Sequence, residues 1–118
     1  MTYVDGYLIP VPNKNREKYR DMAARCAPIF KKHGALSVVE CWGDDVPEGK
    51  LTSFPMAVKQ EEGENVVFSW ISWPSKAARD AGNKAAMEEL HKMMNENDDM
   101  PFDGKRMIFG GFEAIVEA

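Results

Sequence analysis

Residues 66–73 read VVFSWISW, and that run limits the fold more than anything else in the chain. Strand side chains alternate between two faces. Val66, Phe68 and Trp70 therefore point one way, and Val67, Ile71 and Trp73 the other. A half-exposed antiparallel strand needs one apolar face; this one demands cover on both. The stretch RMIFGGFEAI, residues 106–115, repeats the demand. With 118 residues there is room for one domain, residues 1–118, but not two. Area scaling puts the exposed surface of a folded monomer of this length at roughly 6,500 Å².

The remaining elements are read around that strand. Tyr3 to Val11 forms a first strand, closed by Pro10 and Pro12 and interrupted by Asp5 and Gly6. Asn13 or Asn15 caps a helix in which Tyr19, Met22, Ala23, Cys26, Ile29, Phe30 and His33 share one face. Arg16, Lys18, Arg20, Asp21, Arg25 and Lys32 largely fill the other. Pro28 should kink this helix near Ala24, and Gly34 stands where a C-terminal cap belongs. Ala35 to Trp42 is a second strand, with Leu36, Val38, Glu40 and Trp42 on one face. Gly43 to Ser53 is a polar loop, and Phe54–Lys59 a short strand candidate, which Pro55 places at an edge or marks at its start. After VVFSWISW, Pro74 ends the strand and Ser75 caps a helix from Lys76 to about Met94, which Gly82 and Asn83 can break in two. Asn95 to Asp103 is a loop, and Lys105 to Val116 the last strand, where Gly110–Gly111 marks a bulge or close packing against a neighbour.

This order is β-α-β-β-α-β, the split pattern of a ferredoxin-like sandwich: an α+β fold with an antiparallel sheet and two helices on one face. Two helices cover one face only. The expected cover for the other is a second copy, sheet against sheet, in a two-fold homodimer. The net charge of −4 and the lack of a basic run argue against a nucleic-acid partner. Cys26 and Cys41 form no CxxC pair and no zinc spacing, so no metal and no cofactor is expected from a motif. No apolar stretch is long enough for a bilayer, and the first residues enter a strand without a signal-peptide pattern. A cytoplasmic protein with no membrane association is the expectation.

The stretches YVDGYLIPVP, APIFKKHGAL, VVECWGDDVPEGK, VVFSWISWPSK and MPFDGKRMIFGGFE together resemble the YbaA-like family of small bacterial proteins, nearly end to end. ECWGDDVP and the MPFDGKRM run are the specific phrases; Glu88 to Asp98 is the least family-like part. That family looks like a branch of the dimeric α+β barrel superfamily. The resemblance implies the same two-sheet dimer and a ligand held between helices and sheet or inside the barrel. Members of the superfamily include cofactor-free monooxygenases, haem-degrading enzymes, chlorite dismutase-like proteins and small-molecule sensors. Fold analogy alone does not fix a reaction.

Candidate site residues follow from chemistry. Glu40 sits mid-strand between Val38 and Trp42; buried, its pKa would rise and it would become a proton acceptor, while the plainer reading is a salt bridge. Asp103, Lys105 and Arg106 stand at the mouth of the last strand. They suit an anion or carboxylate, or else form a turn with PFDG and pair with Asp44 and Asp45. His33, near a helix end, is a second candidate base, although a helix C-terminus alone accounts for it. Tyr7, Trp42, Trp70, Trp73 and Phe109 either line a pocket for a flat molecule or are core and interface packing.

Three functions fit these residues. The first is a small-molecule binding protein, with Tyr7, Glu40, Trp42, Trp70, Asp103, Lys105 and Arg106 around the ligand. The second is a cofactor-free monooxygenase- or isomerase-like enzyme using Glu40 or His33 as base. The third is an interaction module that presents the GDDVPEGK loop.

Overall fold

The computed structural model describes residues 2–94 and 99–118. Its chain order is β1 (Tyr3–Pro12), α1 (Arg16–Lys32), β2 (Ser37–Trp42), α2 (Phe54–Ala57), β3 (Glu64–Trp73), α3 (Lys76–Met93) and β4 (Ile108–Glu113). One-turn 3-10 segments lie at Asn13–Asn15 and Gly104–Arg106. The four strands form one antiparallel sheet in the order β2-β3-β1-β4. This is the ferredoxin-like arrangement, with the two long strands central and the two short ones at the edges.

Strand alternation decides what each face carries. Tyr3, Asp5, Tyr7, Ile9 and Val11 of β1 stand opposite Trp73, Ile71, Ser69, Val67 and Asn65 of β3. These residues face α1 and α3. Ile9, Val11 and Val67 pack with Tyr19 of α1; Ala35, Ile71 and Trp73 form a second cluster; Ile29 of α1 meets Ala86 and Leu90 of α3. Trp73 is fully buried.

Local chemistry sets the ends of the helices. α1 runs unbroken through Pro28. The Asn15 side chain does not cap it, but donates from Nδ2 to the Pro101 carbonyl at 3.1 Å. Gly34, at φ +109°, ends it as expected: the Ala35 N–H reaches back to the Phe30 carbonyl at 3.0 Å, and the Gly34 N–H to Lys31 at 3.1 Å. Ser75 Oγ accepts from the Ala78 N–H at 3.1 Å and starts α3. Gly82 does not divide α3. A Cβ there would collide with the Trp73 ring and the His33 carbonyl, so this glycine serves close packing of helix on sheet.

Two further expectations are corrected, and the open choice at Gly110–Gly111 is decided for close packing. Phe54–Lys59 is not a strand; Phe54–Ala57 makes a helical turn. Pro55 lies in its first turn and Ser53 Oγ accepts from the Met56 N–H at 3.1 Å, a strong helix-start combination. The last strand begins at Ile108, because Asp103 caps the turn that takes up Lys105 and Arg106. Gly110–Gly111 is not a bulge: the β1–β4 register runs evenly through Gly6↔Gly110 and Asp5↔Gly111. A Cβ on Gly111 would strike the Tyr3 hydroxyl and the Arg79 guanidinium. Of the loop expected over 95–103, residues 95–98 lie outside the described residues.

Val4, Leu8, Val39, Phe68, Trp70, Ile108 and Phe112 belong to the other face, which no long helix crosses among the described residues. The edge of α2 reaches it, where Phe54 meets Phe68 edge-on at 6.1 Å. Phe68, Ile108 and Phe112 are 46%, 43% and 63% exposed. The total exposed surface, 8135 Å², exceeds the roughly 6,500 Å² of a typical monomer of this size. The slab-like extents, 40 × 38 × 20 Å, account for the excess.

One ion pair ties the layers together. Asp5, only 4% exposed, accepts from Arg79 Nε at 3.0 and 3.1 Å, from Arg79 Nη2 at 2.8 Å and from Trp73 Nε1 at 3.1 Å. The guanidinium also stands 5.1 Å from the Tyr3 ring. Asp5→Ala is expected to lower the unfolding free energy by about 3 kcal/mol, because it strands a cation and an indole N–H. Urea denaturation reads this; a loss within about 1 kcal/mol would reduce the pair to the worth of a surface bridge.

Candidate functional site

Arg16, Arg20, Ala23, Ala24 and Ala27 fall at helical spacing on one side of α1. Their small central residues leave the space between the helix and the edge strand β2 unfilled. The result is an open groove of about 500 Å³ between α1 and β2, with Val38, Glu40, Trp42 and Val67 also lining it. Its size is that of a small-molecule site. Arg16 leans over the Trp42 ring at 5.4 Å, a cation–π contact that leaves the guanidinium edge available.

Glu40 is the carboxylate of this groove. Tyr19 donates its hydroxyl to Glu40 Oε1 at 2.6 Å. Ser69, directly opposite Glu40 in the β2–β3 register and buried, hydrogen-bonds it as well. Glu40 counts as exposed over the whole residue because β2 is an edge strand. Its protonation follows the surroundings of the carboxyl end, which Tyr19 and Ser69 partly enclose. Burial raises the carboxyl above its ordinary value, and the two hydrogen bonds oppose that only in part. Burial, then the Glu40 charge, raises the Tyr19 hydroxyl too. Tyr7, across β3 from this cluster, is pushed up to about 12 by burial first and by Asp5 second. Glu40 is thus held by neutral donors, not by the salt bridge considered from sequence.

The other sequence candidates disperse. Trp42 lines the groove with Glu40. Trp70 is on the opposite face, 5.5 Å from Phe68. Tyr7 stacks on Phe109 at 6.2 Å, and Trp73 is core, so the five aromatics do not form one pocket. Arg106 lies beyond the far end of β1. It makes two bonds of 2.7 Å to Glu64, one of 3.0 Å to Asp103 and one of 3.0 Å to the Lys59 carbonyl. Its expected partners Asp44 and Asp45 are replaced by Glu64 and Asp103. The Arg106 guanidinium holds both carboxyls below their ordinary values. Lys105 is exposed, its N–H bonded to Asp103 Oδ1 at 3.0 Å. His33 pairs with Glu89 at 3.0 Å near the end of α1. The turn reading of PFDGKR accounts for these contacts. Arg16, Arg20, Tyr19 and Ser69 are not among the residues that the sequence marks as a site. The signal for the first two was present: two arginines in register with three alanines on one helical side.

The raised Glu40 carboxyl fixes a sign. Its contribution to stability is present below the unfolded carboxylate value and is lost as pH rises through the higher folded value. Glu64, Asp80, Glu89 and Asp103 act in the opposite sense, since ion pairs lower them. The comparison that isolates Glu40 is therefore Glu40→Gln against wild type. Its thermal midpoint should match wild type in acid and exceed it progressively toward neutral pH. Parallel profiles from acid to neutral pH would mean the carboxyl is not desolvated.

Comparisons with known proteins match this geometry to a fold and a family. The chain is 56% identical over 117 residues, 99% of both chains, to "Uncharacterized protein YbaA" of Escherichia coli strain K12 and to its namesake in Shigella flexneri. A solved structure of an MhuD mutant, with two manganese protoporphyrin IX bound per active site, superposes at a TM-score of 0.64. It shares 16% identity, with 98% of this chain and 97% of that one covered. Residues 2–104 match the family model described as "Protein of unknown function (DUF1428)". On that match, and on its full-length identity to YbaA, the chain belongs to the DUF1428 family.

Proposed function

We propose that this chain binds a small, flat, partly apolar molecule in the groove between α1 and β2, and that it works as a homodimer joined through the uncovered sheet face. The observation that carries the binding reading is Glu40: a carboxylate held by Tyr19 and Ser69 in an alanine- and tryptophan-walled groove of about 500 Å³. A structural role would not require the space in front of it. The MhuD likeness supports the fold in which such a groove forms. It does not carry the porphyrin over. His33 is paired with Glu89, and neither it nor His91 lines the groove, so among the described residues no imidazole meets a porphyrin metal there.

A second reading makes Glu40 the base of a cofactor-free monooxygenase- or isomerase-like enzyme. The rise of its carboxyl on burial favours it. His33 drops out of that reading, because it lies outside the groove.

The dimer rests on the second face. Phe68, Ile108 and Phe112 project from it, and Gly6, Leu8 and Gly110 help form a shallow hollow of about 260 Å³ among them. In this reading residues 1–118 act as one domain. A cytoplasmic setting suits the two free thiols, Cys26 and Cys41. No helix among the described residues is long and apolar enough to cross a membrane.

Two measurements test these readings. A neutral naphthalene dye titrated against the protein should saturate with blue-shifted fluorescence. Ala24→Phe, which fills the groove from an exposed position, should abolish that binding without lowering the thermal midpoint. Unchanged binding in the variant would put the site elsewhere. Native mass spectrometry should give twice the chain mass, and Phe68→Asp with Phe112→Asp should give a folded monomer. A monomeric wild type at micromolar concentration would remove the dimer and leave the groove reading intact.

A further inference from the structure

The groove's charges are specific enough to define a ligand class. Two cations, Arg16 and Arg20, and one carboxylate, Glu40, line it. It is locally cationic in a chain of net charge −4. Arg79 is committed to Asp5 and Asp80, and Arg106 to Glu64 and Asp103. Among the described residues, Arg16 and Arg20 enter no ion pair. Arg16 is braced on the Trp42 ring instead. An arginine held by its face presents its planar edge to a carboxylate, the geometry it binds best.

Glu40 sets the other end. An ionised carboxylate offers about four acceptor positions. Tyr19 and Ser69 use two of them, so Glu40 has capacity for a donor from a ligand. Glu40 and Trp42 are two residues apart on one strand face, a separation of roughly 6.6 Å. That is about the span from the hydroxyl to the carboxyl across one aromatic ring. Between the ends, Ala23, Ala24, Ala27 and Val38 offer apolar walls without polar competitors.

We infer that the groove selects a hydroxylated aromatic carboxylic acid, its carboxylate against Arg16 and Arg20 and its hydroxyl donating to Glu40. This rests on the groove reading and adds a polarity to it. The arrangement disfavours other classes. A metal cation meets two arginines. A polyphosphate needs more than two cations and is repelled by Glu40. A neutral aromatic leaves both arginines without an anion.

The test uses 4-hydroxybenzoate, its methyl ester and benzoate as probes on the full chain, with affinities read by calorimetry. The hydroxy acid should bind about 10-fold or more tighter than its ester, the worth of one charge-assisted hydrogen bond. Arg16→Gln with Arg20→Gln, both on the exposed helix side, should erase that preference while ester binding persists. Glu40→Gln, read above the carboxylate range, should narrow the gap between 4-hydroxybenzoate and benzoate and leave the acid-over-ester preference in place. An ester that binds as well as the acid, or a preference that survives loss of both arginines, overturns the inference and leaves the groove reading standing. If none of the three probes binds, the groove reading falls, and this inference with it.

Discussion

The buried pair of Asp5 and Arg79 is the contact on which the layered structure depends. Asp5 lies in the central strand β1, which bonds to β3 on one side and β4 on the other. Arg79 comes from the first turns of α3. An isolated carboxylate at that depth would be far too costly to desolvate. Three guanidinium contacts and the Trp73 indole N–H supply the compensation. The geometry then spreads. Arg79 stands between Tyr3 and the backbone of β4, and only a glycine at 111 leaves room for both. Trp73, turned to reach Asp5, presses on α3 where only a glycine at 82 fits. Such a pair adds little net stability over an apolar alternative; what it fixes is where α3 sits on the sheet.

With α3 placed by that pair, α1 covers the remaining half of the same face, and the groove follows from an imbalance. α1 meets β2 through alanines and leaves a trough there, but meets β1 and β3 through Tyr19 and neighbouring apolar residues and closes. Tyr19 serves both sides of that boundary: its ring packs with Ile9, Val11 and Val67, and its hydroxyl reaches Glu40. A phenylalanine would pack as well but leave Glu40 with one donor fewer.

The strands are legible in the sequence because their residues alternate and their faces are large. The pattern of Val66 to Trp73 alone implies a sheet with two apolar faces, and element order implies the sandwich. The local errors have local physical causes. Phe54–Lys59 looks like a strand by its apolar content, yet Ser53 and Pro55 start a helix whatever follows. Gly82 looks like a helix break when it is a site of close approach to Trp73, and at Gly110–Gly111 the choice between a bulge and close packing depends on Tyr3 and Arg79, far away in sequence. Glu40 stands out as a carboxylate among apolar neighbours. Its partners Tyr19 and Ser69 do not, because strand register and helix rotation are tertiary facts. Arg106 and Asp103 look like ligand groups for the same reason: in sequence nothing shows that Glu64 is in reach.

The two proposed surfaces, groove and dimer face, are on opposite sides of one sheet, and the middle of β3 contributes to both. Val67 lines the groove and Ser69 bonds Glu40, while Phe68 and Trp70 point the other way. This proximity does not itself couple them. Energetic coupling needs an element with two arrangements that both sites bias. β3 is paired along its whole length with β1 on one side, and from Val67 to Ser72 with β2 on the other. Sliding it by one residue would exchange its faces entirely. A strand so constrained acts as a rigid wall, so ligand binding in one copy should proceed independently of the other.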